Sequence, residues 1–155
     1  MRTLTTVLRD NLDKGLTETG LKTKMYAGYI FSTLVWNDVL TSEIKNLSSH
    51  LAPELNNETY TCLDEISQME IPTDSAACNR VIASLQQQLL LTEKEAAVIL
   101  LAVAASYSPA QVNDAVVKTI SKYMKPAGIV EIIVWLSVLQ LLNRLSSYYT
   151  LISAY

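Results

Sequence analysis

The chain has 155 residues, of which half are apolar and 17% charged, and its formal net charge is −3. That length suits one domain, residues 1–155, able to bury roughly two thirds of its unfolded surface. An acidic balance without a dense Lys/Arg cluster excludes a phosphate-reading surface and hence a nucleic-acid partner, and a single His with two Cys excludes most protein-built zinc sites.

Gly and Pro are scarce, four of each, and the apolar residues recur mostly at spacings of three and four. No stretch alternates for long, which predicts an all-α domain of seven or eight helices with short connections. In chain order, Leu4, Val7, Leu8 and Leu12 share one face of a first helix that stops near Gly15. A second runs from about Glu18 to Trp36 and carries Met25, Tyr26, Tyr29, Ile30, Phe31 and Leu34. Asn37 or Asp38 caps a third, with Val39, Leu40, Ile44 and Leu47 on the way to Leu51. After the polar break from Pro53 to Asn57, a short helix covers Tyr60 to Met69 and ends before Pro72.

The second half is better punctuated. Asp74 or Ser75 opens a helix through Val81, Ile82, Leu85 and Leu89, and Thr92 with Glu95 has the spacing of a capping box that opens Ala96 to Ser106. Ser108, Pro109 and Gln111 read as N-cap, first helical residue and box partner of a helix reaching Lys122. Pro126 starts the last and longest helix, to about Tyr149.

On that last helix, at about 100° per residue, Ser137, Gln140, Asn143, Arg144 and Ser147 fall into one polar stripe. The rest is apolar, which predicts a central helix covered on most sides. Glu131 lies opposite the stripe, in line with Trp135, Val138, Leu142 and Leu145, so its carboxylate faces the core or an interface. Ionised there, it requires a cation or several donors. Arg144 is about 140° away around the same helix, which leaves Lys22, Lys24, Arg80, Lys118 or a Tyr hydroxyl from elsewhere.

The N-terminal run Met1 to Asp10 is broken by charge too early for a signal peptide. Ile129 to Leu145 has a membrane-like length, but Glu131, Gln140, Asn143 and Arg144 interrupt it at high cost in hydrocarbon. No membrane association and a cytoplasmic location are therefore expected. The apolar runs Ala96 to Val103 and Ile129 to Leu145 exceed what one small core needs, which predicts an oligomer.

Three phrases carry a family resemblance over residues 91–149. They are Leu91-Thr92-Glu93-Lys94-Glu95 leading into Ile99 to Ala104, then Ser108-Pro109-Ala110-Gln111-Val112-Asn113-Asp114-Ala115, then Ile129-Val130-Glu131-Ile132 with Leu142-Asn143-Arg144-Leu145. This stretch resembles the C-terminal part of the alkylhydroperoxidase D-like, or carboxymuconolactone decarboxylase-like, superfamily. The resemblance implies an all-helical fold assembled as trimers or hexamers. Redox members use Cys-x-x-Cys with a nearby His and an upstream Glu as proton relay, whereas decarboxylase members act on lactone acids without the dithiol. Here there is no Cys-x-x-Cys, and His50 precedes both cysteines, so no redox-site residue carries over. Glu131 and Arg144 match positions common in the family's final helix, without an assigned chemistry.

The residues that bear chemistry are few. Cys62 and Cys78 read as buried structural thiols rather than a redox pair, although Cys78 in a first helical turn beside Arg80 is the better placed for a thiolate. His50 reads as a solvated partner of a helix C-terminus. Adjacent Asp64 and Glu65 point apart and read as surface charge. Tyr148, Tyr149 and Tyr155 read as residues packed on a neighbouring subunit. Gln86-Gln87-Gln88 reads as a polar helix face. Glu131 is the one candidate catalytic group, a proton-transfer carboxyl if it sits in an apolar pocket and a paired buried acceptor otherwise. No cofactor or metal is implied. The expected function is that of a non-redox, oligomeric binding or assembly protein. The alternative is a peroxide-handling or lactone-decarboxylating enzyme with a relocated site.

Overall fold

The computed structural model describes residues 6, 8–10 and 20–153, with 149–153 as helical backbone. Residues 6 and 8–10 are helical and Leu8 is fully buried, while Leu4, Val7, Leu12 and Gly15 lie outside the described residues. Seven helices follow: α1 (Leu21–Leu34), α2 (Asp38–Leu51), α3 (Asn57–Ser67), α4 (Ser75–Leu89), α5 (Glu93–Ser106), α6 (Asp114–Ile120) and α7 (Pro126–Ser153). No strand occurs among the described residues. The chain is an all-α domain, as the spacing of its apolar residues predicts.

Two helices make the centre. α1 is buried at every position from Thr23 to Ser32, and α5 from Ala96 to Ala104. A helix that is apolar all round belongs inside, and α5 packs against α1, α4, α6 and α7 at once. Its alanines, among them Ala96, Ala97, Ala102 and Ala104, let neighbouring helices approach closely. The run Ala96 to Val103 is thus consumed by the domain's own core and leaves nothing for an interface.

Local chemistry sets most helix starts. Asn37 Oδ1 accepts from Leu40 N at 2.9 Å, Asn56 Oδ1 from Thr59 N at 3.0 Å and Asp74 Oδ1 from Ala77 N at 2.8 Å. The Thr92 hydroxyl accepts from Glu95 N at 3.2 Å, and Glu95 Oε2 accepts from Thr92 N at 2.9 Å, completing the expected capping box.

Two expectations fail. Ser108 and Pro109 do not open a helix: residues 107–113 are irregular, and α6 begins after Asn113, whose Oδ1 accepts from Val116 N at 3.0 Å. Tertiary bonds hold that loop, since Gln111 N donates to Ala104 O at 2.8 Å and Asn113 Nδ2 to Pro72 O at 2.9 Å. Nor is α7 central. Ile132, Trp135, Leu136, Leu139 and Leu142 are buried, but Val130, Ile133, Val134, Leu141, Leu145 and Tyr148 remain between 40% and 64% exposed. α7 lies on the outside of the bundle, with one face on α1 and α5 and the other open. On α2, likewise, Val39 faces outward while Leu40, Ile44 and Leu47 are buried.

Candidate functional site

Glu131 faces inward from the second turn of α7, and its partner is Lys24 of α1. Lys24 Nζ lies 2.7 Å from Glu131 Oε1, with the two side chains 2% and 12% exposed. An ammonium this deep needs a counter-charge, so the pair is the condition on which Lys24 stays in the core. Of the four cations compatible with the sequence, Lys22 instead reaches Glu95 Oε1 at 3.7 Å.

One turn further along α7, Trp135 Nε1 donates to the Lys24 carbonyl at 2.9 Å. Glu131 and Trp135, four residues apart, therefore hold the two polar ends of a single α1 residue. Gly28, one turn on from Lys24, is what admits the indole. A Cβ there would stand 3.3 Å from Trp135 Cζ2 and 3.4 Å from both Trp135 Nε1 and Ile44 Cδ1. A residue spacing of four on each helix thus builds one closed α1–α7 crossing. Glu131 and Lys24 do not line the clefts at Trp36, at Asn143 or at Ser84. The geometry is that of a paired buried acceptor.

The cysteines stay apart from any such assembly. Cys78 on α4 is fully buried and Cys62 on α3 partly so, and neither is in a disulfide. Burial raises both thiols above their ordinary pKa. The Glu65 carboxylate adds to the effect at Cys62, and a hydrogen bond with Thr119 only partly offsets it at Cys78. The favourable end of the helix dipole does not prevail at Cys78, because desolvation of the thiolate outweighs it. Both thiols are expected to react slowly with a maleimide probe at pH 7, and several-fold faster once the protein is denatured. A pH profile of alkylation with a midpoint below about 7 for Cys78 would overturn this. His50 is exposed in the last turn of α2, 3.5 Å from the Ser49 hydroxyl. Among the described residues no group of three or more His, Cys, Asp and Glu converges as a metal site would.

A cleft of about 600 Å³ opens between α1, the start of α2, α3 and the end of α5. Tyr29 and Ser32 are its buried residues, and Trp36, Asp38, Asp64, Gln68 and Ser108 its exposed ones. Tyr29 Oη donates to Asp64 Oδ1 at 2.8 Å, and burial together with that bond holds the phenol protonated far into the alkaline range. Asp64 is thus more than surface charge, a role hidden from the sequence because its partner lies 35 residues away. Thr41 Oγ1 donates to Ser32 Oγ at 2.9 Å and Ser32 Oγ to Tyr29 O at 2.9 Å. Tyr107 Oη donates to Met69 O at 2.9 Å, with Ser67 O sharing the same proton at 3.2 Å, which fixes the ring beside the cleft. Trp36 is 88% exposed and takes a left-handed backbone, φ 56°, in the turn between α1 and α2. Side-chain periodicity cannot reveal such a site, since its walls come from four separate segments.

No family model matches the chain, and neither a curated protein nor a solved structure does.

Proposed function

We propose that the chain is a member of the alkylhydroperoxidase D-like, carboxymuconolactone decarboxylase-like superfamily without a redox site, working in the cytoplasm as an oligomeric binding or assembly protein. The supporting observation is the outer face of α7. Val130, Ile133, Val134, Leu141, Leu145 and Tyr148 recur at helical spacing along some five turns and stand open to water, with exposed Ser137 and Arg144 set among them. Such a stripe leaves on the order of 500 Å² of apolar surface uncovered, at the upper end of what a soluble monomer tolerates. It is also well over half of the roughly 800 Å² that each partner contributes to a stable interface. The occupant that fits is a second copy, because an apolar helix face can pack on its own copy across a two-fold axis. A membrane is the competing occupant, since Pro126–Tyr148 is long and apolar enough to cross one by length and composition. Against it, the opposite face of the same helix is committed to α1 and α5 and carries the Glu131 pair.

The protein is expected to sediment as a multiple of its 17.2 kDa mass at micromolar concentration. Val134→Glu with Leu141→Glu should return it to that mass with unchanged helicity, as both side chains are clear of the core. A species at the monomer mass across a dilution series overturns assembly, and co-sedimentation of that species with lipid vesicles assigns the face to a membrane. Peroxide turnover abolished by Cys62→Ser or Cys78→Ser would restore the enzymatic reading.

A further inference from the structure

We infer that the cleft beside Trp36 is a binding site for a small organic cation, an ammonium carried on a hydrocarbon body. Its volume of about 600 Å³ falls within the range of small-molecule sites. Among the described residues the lining holds two carboxylates, Asp38 and Asp64, and no Lys, Arg or His. With no cationic side chain in the lining itself, Lys45 standing outside it against the Tyr29 ring, the two carboxylates set a negative potential on a concave wall of lower dielectric, which concentrates positive ligands.

Neither carboxylate is consumed by its own structural duty. Asp64 accepts one bond from the Tyr29 hydroxyl, whereas an ionised carboxyl has about four acceptor positions. Asp38 sits at the first position of α2, where the cap itself is supplied by Asn37. The hydroxyls of Ser32 and Tyr107 are already engaged with protein partners, so the acceptors left to a ligand are the two carboxylates together with the neutral Thr33, Gln68 and Ser108.

Trp36 provides the apolar and aromatic wall. An indole left almost wholly in water on a left-handed residue is disfavoured on two counts, because apolar surface is exposed and a bulky side chain crowds its backbone. Gly or Asn would occupy that turn at lower cost. An indole face is also the strongest of the aromatic surfaces for an ammonium. The same chemistry already operates next door, where Lys45 Nζ lies 5.5 Å from the Tyr29 ring centre and 5.0 Å from that of Tyr60.

The two tryptophans give a direct readout, since Trp36 is open to solvent and Trp135 is buried. Hexylamine and 1,6-diaminohexane, titrated into the full chain, should protect the acrylamide-quenchable fluorescence saturably, and hexanoate of the same length should not. Trp36→Phe should remove the signal, which assigns it. Asp38→Asn with Asp64→Asn keeps an amide oxygen for the Tyr29 hydroxyl and should weaken amine binding by roughly tenfold or more, as loss of charge-assisted bonds does. Raising the salt concentration should weaken it in the same direction. Absence of saturation, equal protection by hexanoate, or unchanged affinity in the double amide variant would each overturn the assignment. Because Val134 and Leu141 lie outside the cleft, the assembly variant reports separately: amine binding that survives there is independent of oligomerisation.

Discussion

Lys24→Met is expected to destabilise the fold by about 3–5 kcal/mol, the cost of leaving a buried carboxylate without its counter-charge. The Lys24 and Glu131 side chains are almost sealed from water, and their charged atoms are 2.7 Å apart. Glu131→Gln breaks the same pair from the other side and should cost a similar few kcal/mol. For a domain of this size such a loss lowers Tm by roughly 10 °C. The double variant Lys24→Met with Glu131→Leu removes both charges together and should recover most of what either single change loses. Replacing a whole buried pair by apolar groups is often neutral or better. Chemical denaturation of the four proteins forms a double-mutant cycle. A cycle with no coupling, or a Glu131→Lys variant as stable as the parent, would place the carboxylate in water and remove the basis of the α1–α7 crossing.

Trp135→Ala is expected to cost about 3–5 kcal/mol, comparable to the ion pair, by opening a cavity under α7 and losing the bond to the Lys24 carbonyl. Gly28→Ala tests the same crossing with the opposite local bias. Helix propensity alone favours Ala over Gly by up to about 1 kcal/mol. The added methyl, however, meets the indole at 3.3 Å, and that indole is 3% exposed and pinned by its hydrogen bond. Overpacking against a side chain that cannot withdraw should win, leaving Gly28→Ala destabilised by about 1–2 kcal/mol. Paired with Trp135→Phe, the penalty of Gly28→Ala should shrink, because the smaller ring vacates the space. Denaturation midpoints decide it: a stabilised Gly28→Ala protein would mean the indole is free to shift and the crossing is loosely packed.

Because both effects arise at one crossing, they separate what the amino-acid order settles from what packing settles. The all-helical class, the Asp74 and Thr92–Glu95 starts and the all-round apolar character of α5 are decided within three or four residues along the chain. A cap is an interaction between near neighbours, and so it is legible. The start of α6 was not. Ser108, Pro109 and Gln111 have the spacing of a cap, but the bonds from Asn113 to Pro72 and from Gln111 to Ala104 hold that stretch as a loop, and Asn113 caps the helix instead.

Tertiary structure alone decided between α5 and α7 for the centre, two helices of similar apolar character. The small side chains of α5 admit neighbours on every side, whereas the larger Val, Ile and Leu of α7 leave one face uncovered. The sequence demanded a partner for Glu131, because a buried charge cannot stand alone, and it left four cations or a Tyr hydroxyl as candidates. Which of them answered depended on Gly28 letting α7 approach α1 closely enough for one residue, Lys24, to meet both Glu131 and Trp135. The cleft at Trp36 was beyond reach for the same reason. Its residues are distant in the chain and share no period, and only the packing of α1, α3 and α5 places them around one space.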